Sequence, residues 1–251
     1  MANPLLNDKA FQRADRLVQT SGEVMSVEGT INKTAFLLLL VAGGATWVWT
    51  RYFQTLDPAT VMPYLVAGLI GGLGAALVTI FLPAWARISA PVYAAAQGLA
   101  LGAISAFYEQ QLHGIVLQAI GLTFGVLAVM LLAYRSGLIK VTDKFRMIVV
   151  AATGAIALLY LVSIVMSFFG TSIPFIHQGG TFGIVFSLVV VGIAAMNLAL
   201  DFDFIQRGVE HGAPKPMEWY AAFGVMVTLI WLYLEILRLL EQFAAQLQHQ
   251  R

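Results

Sequence analysis

Cysteine is absent from the 251-residue chain, which excludes disulfides, thiolate catalysis, iron–sulfur clusters and cysteine-type zinc sites. Charge is scarce too: Asp, Glu, Lys and Arg make up 11% of the residues, against roughly 25% in an average soluble domain. The net charge of +1 gives no basic face for nucleic acid. Only four histidines occur, at His113, His177, His211 and His249, all in expected loops or tails, so a convergent zinc-binding set is not expected. There is no His-Glu-x-x-His helix, no Gly-x-Ser-x-Gly elbow and no Walker loop. The last apolar run lacks a lysine for a retinal Schiff base. No recognisable catalytic set remains, and the chain is read as a non-enzyme without a tightly bound cofactor.

What is abundant is apolar: 59% of the residues are hydrophobic. A bilayer core of about 30 Å is crossed by roughly 20 apolar residues in a helix. Seven stretches approach that length: Thr34–Trp49, Val61–Leu82, Pro91–Phe107, Ile115–Tyr134, Met147–Phe169, Thr181–Leu200 and Trp219–Leu240. Short connections carry Pro, Gly or charge, as at Asp57-Pro58, Pro83, Ser136-Gly137, Gly170 to Pro174 and Gly212 to Pro216. The expected fold is an all-α integral membrane protein, a seven-helix transmembrane bundle over residues 34–240. A cytoplasmic N-terminal segment, 1–33, precedes it and a C-terminal tail, 241–251, follows. A six-helix alternative would have the third or seventh segment dip into the membrane and return.

Residues 1–33 show no apolar core behind basic residues and no small-residue cleavage site, so no cleavable signal peptide is expected. Phe11, Leu17, Val18 and Met25 recur at loosely helical spacing beside Lys9, Arg13 and Arg16. An interfacial helix and a short tail both fit that pattern. Orientation follows from the basic residues, which stay cytoplasmic in short loops. With the N-terminus inside, eleven of the fourteen fall on the inner side and only Arg51, Arg238 and Arg251 outside. Gly68/Gly72, Gly98/Gly102 and Gly121/Gly125 each sit four apart, the spacing at which helices approach closely in lipid.

Ionisable side chains within a bilayer are costly and are the default functional candidates. Glu235 lies inside Leu232-Tyr233-Leu234-Glu235-Ile236-Leu237, while Asp201 and Asp203 end the sixth span. Glu109, Glu218 and Arg87 stand at span ends. Plainer readings stay open: Glu235 paired with Arg238 three residues on, and Asp201 and Asp203 solvated at the cytoplasmic mouth.

The run Asp201-Phe202-Asp203-Phe204-Ile205 into Val209-Glu210-His211-Gly212, with the acid in the last apolar stretch, resembles the Bax-inhibitor family, the transmembrane Bax inhibitor motif proteins. Val27-Glu28-Gly29-Thr30-Ile31-Asn32-Lys33-Thr34 and Glu218-Trp219-Tyr220-Ala221-Ala222-Phe223-Gly224 look like its bacterial branch. The resemblance implies a bundle whose last helix is central. It also implies a calcium-permeable, proton-sensitive leak governed by a carboxylate pair on helices six and seven. Asp201 and Glu235 would then be that pair and transient calcium ligands, Asp203 an additional acid, and Arg87 a latch partner for Asp201. The second acid here is Glu in place of the family's Asp, and 34 residues separate it from Asp201. If the last helix starts unbroken at Trp219, Glu235 lies about 24 Å along it, so the acids pair directly only if that helix is kinked or starts later.

The expected function is a pH-sensitive calcium leak channel of the bacterial inner membrane, with lipid, calcium ions and protons as its partners. The competing expectation is a non-conducting membrane protein that modulates membrane proteolysis or stress signalling through a membrane protein partner.

Overall fold

The computed structural model of the chain describes residues 23–169 and 181–249. Among the described residues there are seven α-helices: α1 (Val27–Thr55), α2 (Pro58–Phe81), α3 (Ala86–Gln111), α4 (Ile115–Arg135), α5 (Asp143–Phe168), α6 (Thr181–Glu210) and α7 (Met217–His249). A 3₁₀ turn, Pro83–Trp85, leads into α3. Among the described residues there is no strand, only an isolated bridge between Val24 and Pro214. All seven helices are long and apolar enough to cross a membrane, and the arrangement fits a seven-helix bundle.

Local chemistry sets the helix starts. Ser26 caps α1 by accepting from the Gly29 N–H at 3.0 Å. Asp57 caps α2 by accepting from Ala59 N–H at 2.9 Å, with Pro58 in the first turn. Thr142 caps α5 through Phe145 N–H at 3.2 Å. Each oxygen satisfies a backbone donor that the helix itself leaves open. Gly212, at φ 64°, supplies the left-handed residue that turns the chain after α6.

Several expected boundaries change. Helix α1 begins at Val27, inside the segment assigned to a cytoplasmic N-terminus. The third span, expected to be short, is a 26-residue helix that accommodates Pro91; the six-helix alternative has no support among the described residues. Helix α6 continues nine residues beyond Asp201 to Glu210, so Asp201 and Asp203 lie within it. Helix α7 starts at Met217 and continues to His249, so residues 241–249 of the segment assigned to the tail are helical. The interfacial-helix pattern at Phe11 to Val18, and the Gly170 to Pro174 connection with His177, lie outside the described residues. Met25, the remaining member of that pattern, is buried against Phe204, Ala213, Met217 and Tyr220.

The chain divides into two compact units. The first unit in sequence holds α1 to α3 with residues 203–227. There the backbone closeness of small residues is direct: a Cβ on Gly102 would lie 2.5 Å from Ala45 O, one on Gly98 2.7 Å from Val41 O, and one on Gly68 2.5 Å from Ala96 O. No Cβ would fit, so these glycines permit the α1–α3 and α2–α3 contacts. Gly121 and Gly125 behave differently, since a Cβ at either would meet nothing within 4 Å. The other unit holds α4, α5, residues 181–202 of α6 and residues 228–249 of α7. Outward sides of the helices are apolar, as at Leu39, Ile70, Leu117, Leu132 and Leu161, which suits lipid as their solvent. The last helix is the most enclosed: 67% of its apolar window is buried, against 17% for α1 and α5.

Candidate functional site

Within the α4–α7 unit, polar side chains of α5, α6 and α7 meet in an otherwise apolar interior. Ser187 of α6 donates from Oγ to Gln242 Oε1 of α7 at 2.9 Å, both residues buried. Tyr160 of α5 donates from Oη to Glu235 Oε1 of α7 at 2.6 Å. Arg238, one turn past Glu235, donates from Nη1 to Tyr160 Oη at 2.8 Å. Its guanidinium also lies over the Tyr160 ring, 5.1 Å from the centroid. Asn197 of α6 donates from Nδ2 to Thr153 Oγ1 of α5 at 2.8 Å, and Asp201, one turn further along α6, is fully buried.

Apart from Ser187, these side chains line one face of each helix, a polar column set by their spacing. Thr153 and Tyr160 are seven apart on α5; Asn197 and Asp201 are four apart on α6; Glu235, Arg238 and Gln242 follow at three and four on α7. Each interval returns a side chain to nearly the same side of its helix.

The Ser187–Gln242 hydrogen bond also sets the register. With successive spans antiparallel, Asp201 lies roughly 21 Å beyond Ser187 and Glu235 roughly 10 Å beyond Gln242 in the same direction, at 1.5 Å per residue. The two acids therefore occupy levels roughly 10 Å apart, with the Asn197–Thr153 bond between them. Helix α7 starts earlier than Trp219, not later, which places Glu235 roughly 27 Å from its first residue.

The two oxygens of Glu235 differ. Oε1 accepts from Tyr160, while Oε2 accepts no hydrogen bond among the described residues. Among the described residues, Arg238 Nη1 is the cation beside Oε2, at 3.6 Å, close enough for charge attraction and too long for a hydrogen bond. Of the two expectations for Glu235, the Arg238 pairing is present, and the residue is still buried, at 4% exposure.

Asp203 and Arg87 belong to the α1–α3 unit. Asp203 pairs with Arg207 at 2.9 Å along α6, and two residues' separation turns it well away from the Asp201 side of the helix. Arg87 is exposed in the first turn of α3. Among the described residues no three His, Asp or Glu side chains gather to hold a metal ion.

The same unit contains a fully buried acid, a third beside Asp201 and Glu235, that sequence reading noted only as a span-end charge. Glu218, 1% exposed, accepts from Ser26 N–H and Ser26 Oγ, both at 2.9 Å, and from Lys33 Nζ. Lys33 also stands 5.5 Å from the Trp219 ring centroid. Around this clasp, Met25 N–H donates to Ala213 O at 2.7 Å and Lys215 N–H to Glu23 O at 3.1 Å. The two stretches that carry the bacterial-branch resemblance, 27–34 and 218–224, thus meet at Glu218.

Searches of curated proteins and of solved structures return no match for this chain. A family model does match, that described as Bax inhibitor 1 like, over residues 3–245. With nearly the whole chain matched and seven membrane-length helices in place, the protein belongs to the Bax inhibitor 1 like family.

Proposed function

We propose that this protein is a pH-sensitive, calcium-permeable leak channel of a bacterial inner membrane, without catalytic activity or a tightly bound cofactor, whose path follows the α5–α7 polar column. The observation that carries the reading is the column itself: Asp201 and Glu235 are both buried, at different levels, in the unit where Tyr160 bonds Glu235 and Asn197 bonds Thr153 between apolar helices. Burying carboxylates in a membrane protein is costly and is usually maintained for function. Their oxygens are hard ligands suited to Ca²⁺, and two acids at separate levels suit brief, sequential contact with a moving ion. Protonating either one removes the charge that draws a cation inward. The basic residues, eleven of fourteen on one side, favour a cytoplasmic N-terminus.

The test is calcium flux into proteoliposomes loaded with an indicator. Glu235→Gln and Asp201→Asn should each reduce flux severalfold, and wild-type flux should vary with pH. Flux indifferent to pH and to both substitutions would count against the channel.

One observation favours the non-conducting alternative: Glu235 already has a guanidinium beside it. If the protein instead modulates membrane proteolysis or stress signalling through a partner, deleting residues 1–22 should abolish its effect. That deletion leaves Ser26 and Lys33 on Glu218, whereas a longer one would remove the clasp as well. The channel reading expects the shortened protein to conduct normally.

A further inference from the structure

We propose that Arg238 is a built-in competitor for the cation position at Glu235 Oε2, and that the leak opens when its guanidinium moves off. The inference rests on the channel reading and assigns its regulation. Three features of the site support it. Oε2 is a buried acceptor without a hydrogen bond among the described residues, while its sister Oε1 is held by Tyr160. A buried carboxylate oxygen left open in this way attracts a donor or a cation strongly.

Among the described residues, the cation within ion-pair distance of it is Arg238, at 3.6 Å, and that guanidinium spends its hydrogen bond on Tyr160 Oη instead. Arg238 therefore screens the carboxylate without saturating it. Finally, the Arg238 side chain is 28% exposed whereas that of Glu235 is 5% exposed. The guanidinium has access to the outside of the unit and the carboxylate does not, so the cation is the member of the pair able to leave.

The Tyr160 phenol is the clamp that sets how readily it does so. Its oxygen donates to Glu235 and accepts from Arg238, and its ring face holds the same guanidinium. A divalent cation arriving at Oε2 meets one fixed positive charge in its place. Displacing that charge exchanges a tethered monocation for a mobile dication on one carboxylate, with no covalent change.

The experiment compares calcium flux in proteoliposomes for wild type, Arg238→Gln, Tyr160→Phe, Glu235→Gln and the double variant Arg238→Gln/Glu235→Gln. Monodispersity and thermal unfolding in detergent confirm folding. Arg238→Gln should raise flux by about tenfold, the gain expected if the guanidinium occupies the position about nine-tenths of the time. Tyr160→Phe keeps the ring and removes the hydroxyl clamp, so it should raise flux less and remain folded if Arg238→Gln does not. In the double variant the gain should vanish.

Flux that Glu235→Gln reduces but neither Arg238→Gln nor Tyr160→Phe raises overturns the competitor and leaves the channel reading standing. A gain that persists in the double variant also overturns it, because the effect would then bypass Glu235. Absence of flux in every folded variant overturns both.

Discussion

Lys33, in the second turn of α1, forms an ion pair with Glu218, the second residue of α7, across 185 positions of sequence. Glu218 also takes two hydrogen bonds from Ser26, the residue that caps α1. The carboxylate thus sits at a helix N-terminus, where the backbone dipole favours negative charge. A Cβ on Gly29 would collide with that carboxylate. Removing one side of a buried ion pair strands the other, so Glu218→Ala should lower stability by about 3 kcal/mol, with Lys33 retaining 19% exposure and softening the loss. Gly29→Ala should be destabilising by displacing the same group. Because both substitutions break one interaction, the double variant should lose much less than the sum of the two. Reversible unfolding in detergent measures this cycle, and simple additivity would show that Gly29 is not there for Glu218.

The glycine pairs separate by the same kind of measurement. At Gly102, Gly98 and Gly68 the nearest atoms to an added Cβ are backbone oxygens of a neighbouring helix, at 2.5, 2.7 and 2.5 Å. Backbone cannot rotate aside, so Gly102→Ala should cost about 1–3 kcal/mol through helix displacement. Gly121→Ala and Gly125→Ala add a methyl to open space and should be neutral or stabilising by up to about 1 kcal/mol from helix propensity. Equal losses at Gly102 and Gly121 would contradict the assignment.

The topology was readable because a bilayer demands local, continuous apolar length, and that signal needs no knowledge of tertiary contacts. Even Pro91, at which the third span was expected to begin, sits inside an intact helix. The family resemblance was readable in the 201–212 run and the last apolar stretch, with 27–34 and 218–224 beside them, but why the latter two stretches belong together was not. The Lys33–Glu218 contact spans 185 residues and the Tyr160–Glu235 contact 75, and one sequence carries no record of such pairings. Tyr160, set in Leu158-Leu159-Tyr160-Leu161, reads as an apolar filler until its partner is placed. A usable hint existed in the seven-residue interval from Thr153, which puts two hydroxyls on one face of α5. The four-apart glycines show the converse limit: one spacing describes all three pairs, yet only the α3 pair sets both members against a neighbouring backbone, while Gly72 of α2 faces the Gln97 side chain and the α4 pair faces open space.

The middle rung of the column has its own test. Asn197 Nδ2 reaches both Thr153 Oγ1 at 2.8 Å and Ile193 O at 2.9 Å, so its amide keeps one partner when Thr153 loses its hydroxyl. Thr153→Val should therefore be mild. The coupling between Thr153→Val and Asn197→Ala should fall near 0.6 kcal/mol and no higher than about 1.7 kcal/mol, the range for hydrogen bonds between membrane helices. Steric trapping or denaturant titration in mixed micelles supplies the four stabilities. Zero coupling would mean that the Asn197–Thr153 contact does not tie α5 to α6.

Outside the spans, Lys215 offers a pH-dependent check on the segment that leads into α1. Its ammonium is 2.8 Å from Glu23 Oε2, and that hydrogen bond, with the accompanying charge attraction, raises its pKa above the ordinary lysine value of 10.5. A raised folded-state pKa means that the pair's contribution is complete below the unfolded value and disappears as pH rises through the folded one. Both side chains are exposed, at 48% and 63%, so solvent keeps the contribution small. Glu23→Gln should therefore lower the melting temperature slightly and by a constant amount from about pH 7 to about pH 9, with the difference from wild type closing above the lysine range. A difference that instead changes between about pH 6 and about pH 8 would require a different titrating group to control how residues 23–26 dock on the 211–216 connection.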